Sequence, residues 1–504
     1  MTSLVQSVDW LAIAPPLIVA ATALIILVAD LFVPDHRKPL LGWTAVAGLA
    51  AAFLMLLPLR HGNRSTFCLT TDHGACSYTA DHFTLAIQLL VLGGALLTAL
   101  LSMSETGGDR LPAGEFWFLL LASASGAALL PASRDLATLV VALEVASLPA
   151  FALVGLKRGN RLSSEAALKF FLSSVTATAV TLLGVSFVYA ATGTLHLTRI
   201  ATAQVDPQLD TLAEAGVVLT LVGFAFKTAV APFHFWAPDT YVGAPLPVAA
   251  YLSVIGKAVG FSGLILVTVV AFPGYANIWG PAVAVLAGLT MTVGNTAALR
   301  QQATRAHSAV RLLAWSSIGQ AGYLLVPIAA AGYTSDREIG STVAYALMYA
   351  VVNLGAFATV ALVARSRPGR RLSDYRGLYA TRPFTALALA FFLLCLAGLP
   401  PGIIGLFAKV TVFQSAVDAG LGWLAAVMAV NVVIALYYYL RWTAVLFRTP
   451  RAAAARTGAA AGDTHPGLRI PVPLTLTVAL AAAAGAVLSV APQLVLHFAS
   501  GSLF

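Results

Sequence analysis

The stretch Phe226-Lys-Thr-Ala-Val-Ala-Pro-Phe-His-Phe-Trp-Ala-Pro-Asp239 decides how this chain is read. A lysine stands near the end of an apolar run that begins near residue 211, and Pro232 and Pro238 interrupt the helix just beyond it. An ionisable group at the bilayer centre costs at least roughly 2.5–3.5 kcal/mol on insertion scales, so it needs a partner, water or a purpose. Proline removes a backbone donor and breaks a helix. In membrane transporters, broken helices mark ion sites near the midplane.

Outward from this stretch, apolar runs of spanning length fill the chain. They cover 11–33, 42–59, 83–103, 113–131, 135–155, 165–190, 211–232, 246–271, 277–299, 309–332, 339–364, 383–416, 420–447 and 471–497. The run 383–416 is too long for one straight helix and carries Pro400-Pro401. The fold class is therefore an all-α polytopic membrane protein of about fourteen transmembrane helices, with helices 7 and 12 broken. Composition agrees: of 504 residues, 59% are hydrophobic and 10% charged, where soluble domains carry about a quarter.

The net charge of +9 comes from loops and does not mark a nucleic-acid surface. Of 29 lysines and arginines, twenty fall in loops on one side and five on the other, while Lys169, Lys227, Lys257 and Lys409 lie inside helices. The positive-inside rule then puts both termini outside. The first apolar run lacks a basic leader and reads as a span, not a cleavable signal. The Ala- and Gly-rich stretch 451–462 reads as a flexible linker in an inner loop. Cys395 lies in an apolar run; Cys68 and Cys76 share one outer polar loop, where a disulfide and two free thiols are both open.

Four ionisable groups fall within spans. Glu144 lies in the fifth, within Leu139-Val-Val-Ala-Leu-Glu-Val-Ala-Ser-Leu148. Lys227 lies in the seventh, Lys257 in the eighth within Ser253-Val-Ile-Gly-Lys-Ala-Val-Gly260, and Lys409 in the twelfth beyond its double proline. One carboxylate cannot neutralise three lysines. Burial disfavours the charged form of a lysine, and a lysine close to the balance of its two forms takes up and releases protons. A row of such groups joined by water is a proton relay. The competing account makes each a helix–helix tie, and an ion pair of Glu144 with Lys227 fits either.

His234 stands at the helix break, where an imidazole titrates near neutrality; a capping role is the alternative. Asp239 is expected to order the following turn. Tyr345, Tyr349 and Asn353 share one helical face, where interhelical hydrogen bonding is the simpler account. Tyr437 to Tyr439 and Trp442 read as an interfacial belt. No nucleotide, flavin, haem or iron–sulfur motif occurs, so no redox chemistry is expected on this chain.

At these residues the sequence resembles the antiporter-like subunits of proton-pumping NADH-quinone oxidoreductase, respiratory complex I, and among them subunit N. The resemblance rests on Leu143-Glu-Val-Ala-Ser-Leu-Pro149, Ser164-Glu-Ala-Ala-Leu-Lys-Phe-Phe171 and the opening stretch. It continues through Gly243-Ala-Pro-Leu-Pro-Val-Ala-Ala-Tyr-Leu-Ser-Val-Ile-Gly-Lys257 and Arg311-Leu-Leu-Ala-Trp-Ser-Ser-Ile-Gly-Gln-Ala-Gly-Tyr323. Asn353-Leu-Gly-Ala-Phe357, Asp374-Tyr-Arg-Gly-Leu378 and Leu396-Ala-Gly-Leu-Pro-Pro-Gly402 complete it. It covers about residues 80 to 445. The lysine of the twelfth span favours N over its sister M, where an acidic residue is usual. Where the family often has paired basic residues ahead of Leu-Leu-Ala, Val310 here precedes Arg311.

The resemblance implies two inverted five-helix antiporter-like repeats. Residues 1–110 would hold helices 1–3, 111–272 the first repeat, 273–447 the second, and 448–504 an inner linker and helix 14. It implies an ion pair of Glu144 and Lys227, a central relay at Lys257 and a terminal relay at Lys409. It implies a bacterial cell membrane location. It implies no cofactor on this chain, with NADH, FMN, iron–sulfur clusters and quinone elsewhere in the complex. The implied partners are membrane-arm subunits M, J, K, A and H and the lipid bilayer, with no nucleic acid. The alternatives are a subunit of a multi-subunit Mrp-type cation/proton antiporter, a stand-alone transporter and a membrane scaffold.

Overall fold

The computed structural model describes residues 8–69, 72–106, 111–334, 339–449, 471–500 and 503. The stretch 451–462 and the loop arginines Arg110, Arg337, Arg451, Arg456 and Arg469 lie outside the described residues. The chain opens with helices α1 (Trp10–Asp30) and α2 (Pro39–Leu54), then an antiparallel hairpin of β1 (Arg64–Leu69) and β2 (Asp72–Ala80). Next come α3 (His82–Ser102), α4 (Ala113–Leu129), α5 (Leu136–Gly155), α6 (Arg161–Thr192), the short α7 (Leu197–Thr202), and α8 (Asp210–Thr228) with α9 (Trp236–Gly243). The eighth span is α10 (Leu246–Tyr251) and α11 (Lys257–Ile265), joined and followed by π turns at Leu252–Gly256 and Leu266–Ala271. The second half holds α12 (Ala276–Leu299), α13 (Ser308–Ala330), α14 (Gly340–Ala364), α15 (Leu378–Thr381) and the interrupted α16 (Pro383–Ala397) and α17 (Ile404–Asp418). It closes with α18 (Gly422–Phe447), α19 (Val472–Val490) and α20 (Gln493–Ser500).

Thirteen stretches among the described residues are long and apolar enough to cross a membrane, and α16 is a shorter apolar helix that continues after its interruption into α17. Helices dominate because lipid offers no partner for backbone polar groups, so each span must satisfy them internally. Starts are fixed by side-chain caps. Asp9, Asp81, Asp135 and Asn160 accept from the first-turn amides of α1, α3, α5 and α6. Both breaks end in the left-handed region: Ala229 (φ 61°) closes α8 and Gly398 (φ 85°) closes α16.

Four details differ from the sequence reading. The run 471–497 is two elements, because Pro492 separates α19 from α20. The polar loop after α2 is a hairpin in which Cys68 faces Cys76, and a disulfide joins them. The eighth span, read as a continuous apolar run, contains π turns, which each insert one extra residue per turn. Arg134 does lie in a loop, as read, but the loop is buried: the arginine is 8% exposed and ion-paired with Asp81 at the start of α3.

The core runs unbroken across both halves. Spans eight, ten and eleven are the most enclosed, while α1, α2, α6 and α19 leave most of their surface outward. The lysine of the eighth span thus sits on a helix walled in by protein.

Candidate proton-relay site

The last turn of α8 carries Lys227 inward. Its side chain is 2% exposed, and Nζ donates to Ser147 Oγ on α5 at 2.7 Å. The Phe170 and Phe151 rings stand 5.3 and 5.7 Å from Nζ, within cation–π range. Ser147 in turn donates to Leu143 O at 2.6 Å. The break beyond Lys227 is held by its own backbone groups. Ala231 N–H donates to Thr290 Oγ1 at 2.9 Å, and Trp236 Nε1 donates to Phe226 O at 3.0 Å.

Glu144 lies one turn from Ser147 on α5 and is half-buried. Its Oε1 accepts from Thr178 Oγ1 on α6 at 2.7 Å. Among the described residues it forms no direct ion pair with Lys227, which holds Ser147 instead. This corrects the expected contact. Ser147, one turn further along the same helix, occupies the place at Nζ that the carboxylate was expected to fill.

Lys257 is 1% exposed and follows the first π turn. Its Nζ donates to the Ser317 carbonyl on α13. The π turn is gripped from α14: Asn353 Nδ2 donates to Ser253 Oγ (2.7 Å) and Tyr349 Oη to Ser253 O (3.2 Å). Lys409 is 6% exposed, and its Nζ donates to Leu396 O (2.9 Å) and Ala397 O (2.7 Å). These are last-turn carbonyls of α16, freed where the helix stops.

Between the second and third lysines lies a polar thread. Tyr345 Oη donates to Gln320 Oε1, Gln320 Nε2 lies 3.3 Å from Tyr439 Oη, and Tyr439 bonds Ser316. A cavity of about 20 Å³ opens among Gln320, Tyr345, Tyr349 and Lys409. Most of its wall, Met348, Val352, Leu396 and Ala408 included, is apolar, and a space of that size has room for about one water molecule at its polar side.

His234 does not join this row. It packs on Trp315, 5.5 Å between ring centroids, and its Nδ1 has no hydrogen-bond partner among the described residues. Asp239 does more than order a turn. Its carboxylate binds Lys169 (3.2 Å) and Arg311 (3.3 Å), and Lys169 also meets Glu165 (2.8 Å). Arg311 therefore keeps a salt bridge although Val310 precedes it. No group of three or more metal-ligating side chains occurs among the described residues.

The sequence reading missed Ser147, Thr178, Ser253 and Gln320. Ser147 had a signal: it lies one helical turn from Glu144 within the same quoted motif. The carbonyl acceptors of Lys257 and Lys409 had none, because every residue carries one.

Fold and site together define a polytopic membrane protein of antiporter-like build. The family model described as NADH:quinone oxidoreductase/Mrp antiporter matches residues 133–435. The chain is 75% identical to NADH-quinone oxidoreductase subunit N 2 of Streptomyces griseus, covering 100% of this chain and 95% of that one. It is 46% identical to subunit N of Salinispora tropica, over 90% and 87% of the two chains. Among solved structures, a chain of respiratory complex I from Thermus thermophilus with bound aureothin superposes with TM-score 0.76 at 31% identity, covering 97% and 100%. A chain of the Mrp complex from Dietzia superposes with TM-score 0.79 at 22% identity, covering 97% and 96%, and shares the fold. The chain belongs to the NADH:quinone oxidoreductase/Mrp antiporter family, and within it to the NADH-quinone oxidoreductase subunit N sequences.

Proposed function

We propose that this chain is the membrane-arm subunit of a proton-translocating NADH:quinone oxidoreductase through which protons cross the membrane. The observation that carries the proposal is the bonding of the three buried lysines to neutral acceptors: Ser147 Oγ, Ser317 O, and Leu396 O with Ala397 O. A hydroxyl or carbonyl accepts from an ammonium and from a neutral amine alike. Losing the proton therefore does not strand the contact, as it would strand a carboxylate partner. The 75% identity to a subunit N sequence favours this reading over an Mrp-type antiporter.

NADH, FMN, iron–sulfur clusters and quinone belong to other subunits of such a complex. Electron transfer there shifts charge along the membrane arm. Glu144 and Lys227 respond by closing or opening the gap between them, and Lys257 and Lys409 change their hold on protons in turn. His234 is a secondary proton carrier beside this row. A proton enters from inside and leaves outside. In this reading residues 111–272 and 273–447 are the two inverted repeats, 1–110 and 448–504 flank them, and both termini lie outside the bacterial cell membrane. Subunits M, J, K, A and H are the neighbours.

Quinone-linked proton pumping in vesicles tests the relay. Lys227→Ala and Glu144→Gln should each assemble and lose pumping; normal assembly with normal pumping in both would end the idea.

A further inference from the structure

A cavity of about 540 Å³ lies between α8 and α12, floored by Leu264 and Leu325 and ending on Val230 and Pro232 at the helix break. That volume is in the range of small-molecule pockets, roughly 300–1,000 Å³. Its lining side chains are apolar apart from one indole N–H, which Trp279 already donates to Phe272 O at 2.8 Å. The mouth lies where Val218 and Val285 are 48% and 52% exposed. α12 lines it with its first half, from Ile278 to Leu286, and α8 from Val218 to Ala225, in its middle and last turns, so the cavity lies within the depth of the spans. Water does not fill a space without polar partners, and at this depth hydrocarbon does.

The rim is polar and negative. Glu214 is exposed and stands one turn before Val218 on the same face of α8. Tyr275 stands one turn before Ile278 and Trp279 at the start of α12, and exposed Asp210 opens α8 one turn before Glu214. Two carboxylates repel a headgroup that is only anionic and attract an ammonium, which a phenol ring also receives on its face.

We propose that this groove seats one acyl chain of a zwitterionic, ammonium-headed phospholipid, with the headgroup ammonium at Glu214, Asp210 and Tyr275. The chain then buttresses the backbone from Val230 to Pro232, three residues beyond Lys227.

The test uses the whole complex, reconstituted with phosphatidylethanolamine that carries a photoactivatable diazirine in its acyl chain. Mass spectrometry should find the label in peptides from 216–232 and 276–290. The same probe on phosphatidylglycerol should label these peptides about fivefold less, since one charge near a headgroup is worth about 1 kcal/mol. Asp210→Lys with Glu214→Lys should erase that preference. Ala282→Trp, which fills the groove, should remove the label here and leave labelling on the outward face of α1 unchanged. Val285→Trp at the mouth serves the same purpose where Ala282→Trp fails to assemble. Label that persists in a filled variant, equal labelling by both headgroups, or crosslinks to a protein segment at these peptides would each overturn the proposal.

Discussion

Lys227 and Glu144 stand on neighbouring helices, yet each holds a hydroxyl and not the other. The spacing makes Ser147 the residue that sets how firmly the lysine is held. Removing the partner of a buried polar group costs about 1–3 kcal/mol. Ser147→Ala should therefore assemble and pump more slowly, by about tenfold per 1.4 kcal/mol, whereas Lys257→Met should stop pumping. The measurement is the proton uptake of inverted vesicles per NADH oxidised. Equal pumping in Ser147→Ala and the unaltered protein would show that the hydroxyl does not govern the lysine. At this scale the sequence displays its charges but hides their acceptors. A lysine in an apolar run is visible as an anomaly, while a backbone carbonyl that receives it looks like every other carbonyl.

Elements pack closely where glycine permits it. A Cβ on Gly260 of α11 would stand 2.5 Å from the Thr228 nitrogen on α8. Gly260→Val must push α8 away and carry Lys227 off Ser147. Overpacking of this kind costs typically about 1–3 kcal/mol, so the melting temperature of the assembled complex should fall and pumping with it. A normal melting temperature would show that the helices adjust freely. On the opposite membrane face from the N-terminus, His307 joins two loops: its N–H donates to Gly369 O at 2.9 Å, and Ala309 N–H to Arg370 O at 3.1 Å. Burial, then the charges of Arg370, Arg311 and Lys157, hold the His307 imidazole below its ordinary value. The folded loop thus binds its proton less readily than the unfolded chain. Its stability is complete above the ordinary histidine value of about 6.5 and declines as pH falls below it. Hydrogen exchange at 303–310 should quicken on that descent and stay flat in His307→Gln. Element boundaries were largely legible, since apolar length and proline mark the spans and both breaks. The π turns were not, because Leu246–Ala271 is apolar throughout and one extra residue per turn leaves no trace in composition. The hairpin escaped because Arg64–Leu69 shows no alternation and the alternation of the second strand is confined to Cys76-Ser-Tyr-Thr-Ala80, five residues next to the apolar run of α3.

For the whole molecule, the proposal that both termini lie outside, made on the arginine and lysine bias, would place the Cys68–Cys76 disulfide on that side too. A membrane-impermeant thiol reagent, applied after reduction to right-side-out vesicles, should label both cysteines and leave buried Cys395 untouched. Labelling only in inverted vesicles would reverse the topology. The assignment of chemistry to the chain follows the same division. The lysine row is written in the sequence, but the Asp239 bridge to Lys169 and Arg311 joins α6, α9 and α13. Such a bridge emerges only when distant segments meet.

The break between α16 and α17 also bears on how this protein tolerates change. Lys227 depends on a side chain, so a single codon at position 147 can remove its acceptor. Lys409 leans on two carbonyls of its own interrupted helix, which no substitution can delete. Drift in the neighbouring side chains therefore leaves the grip on Lys409 intact so long as the interruption survives. The third lysine is the one best insulated against mutation, and the first is the most open to being tuned by it.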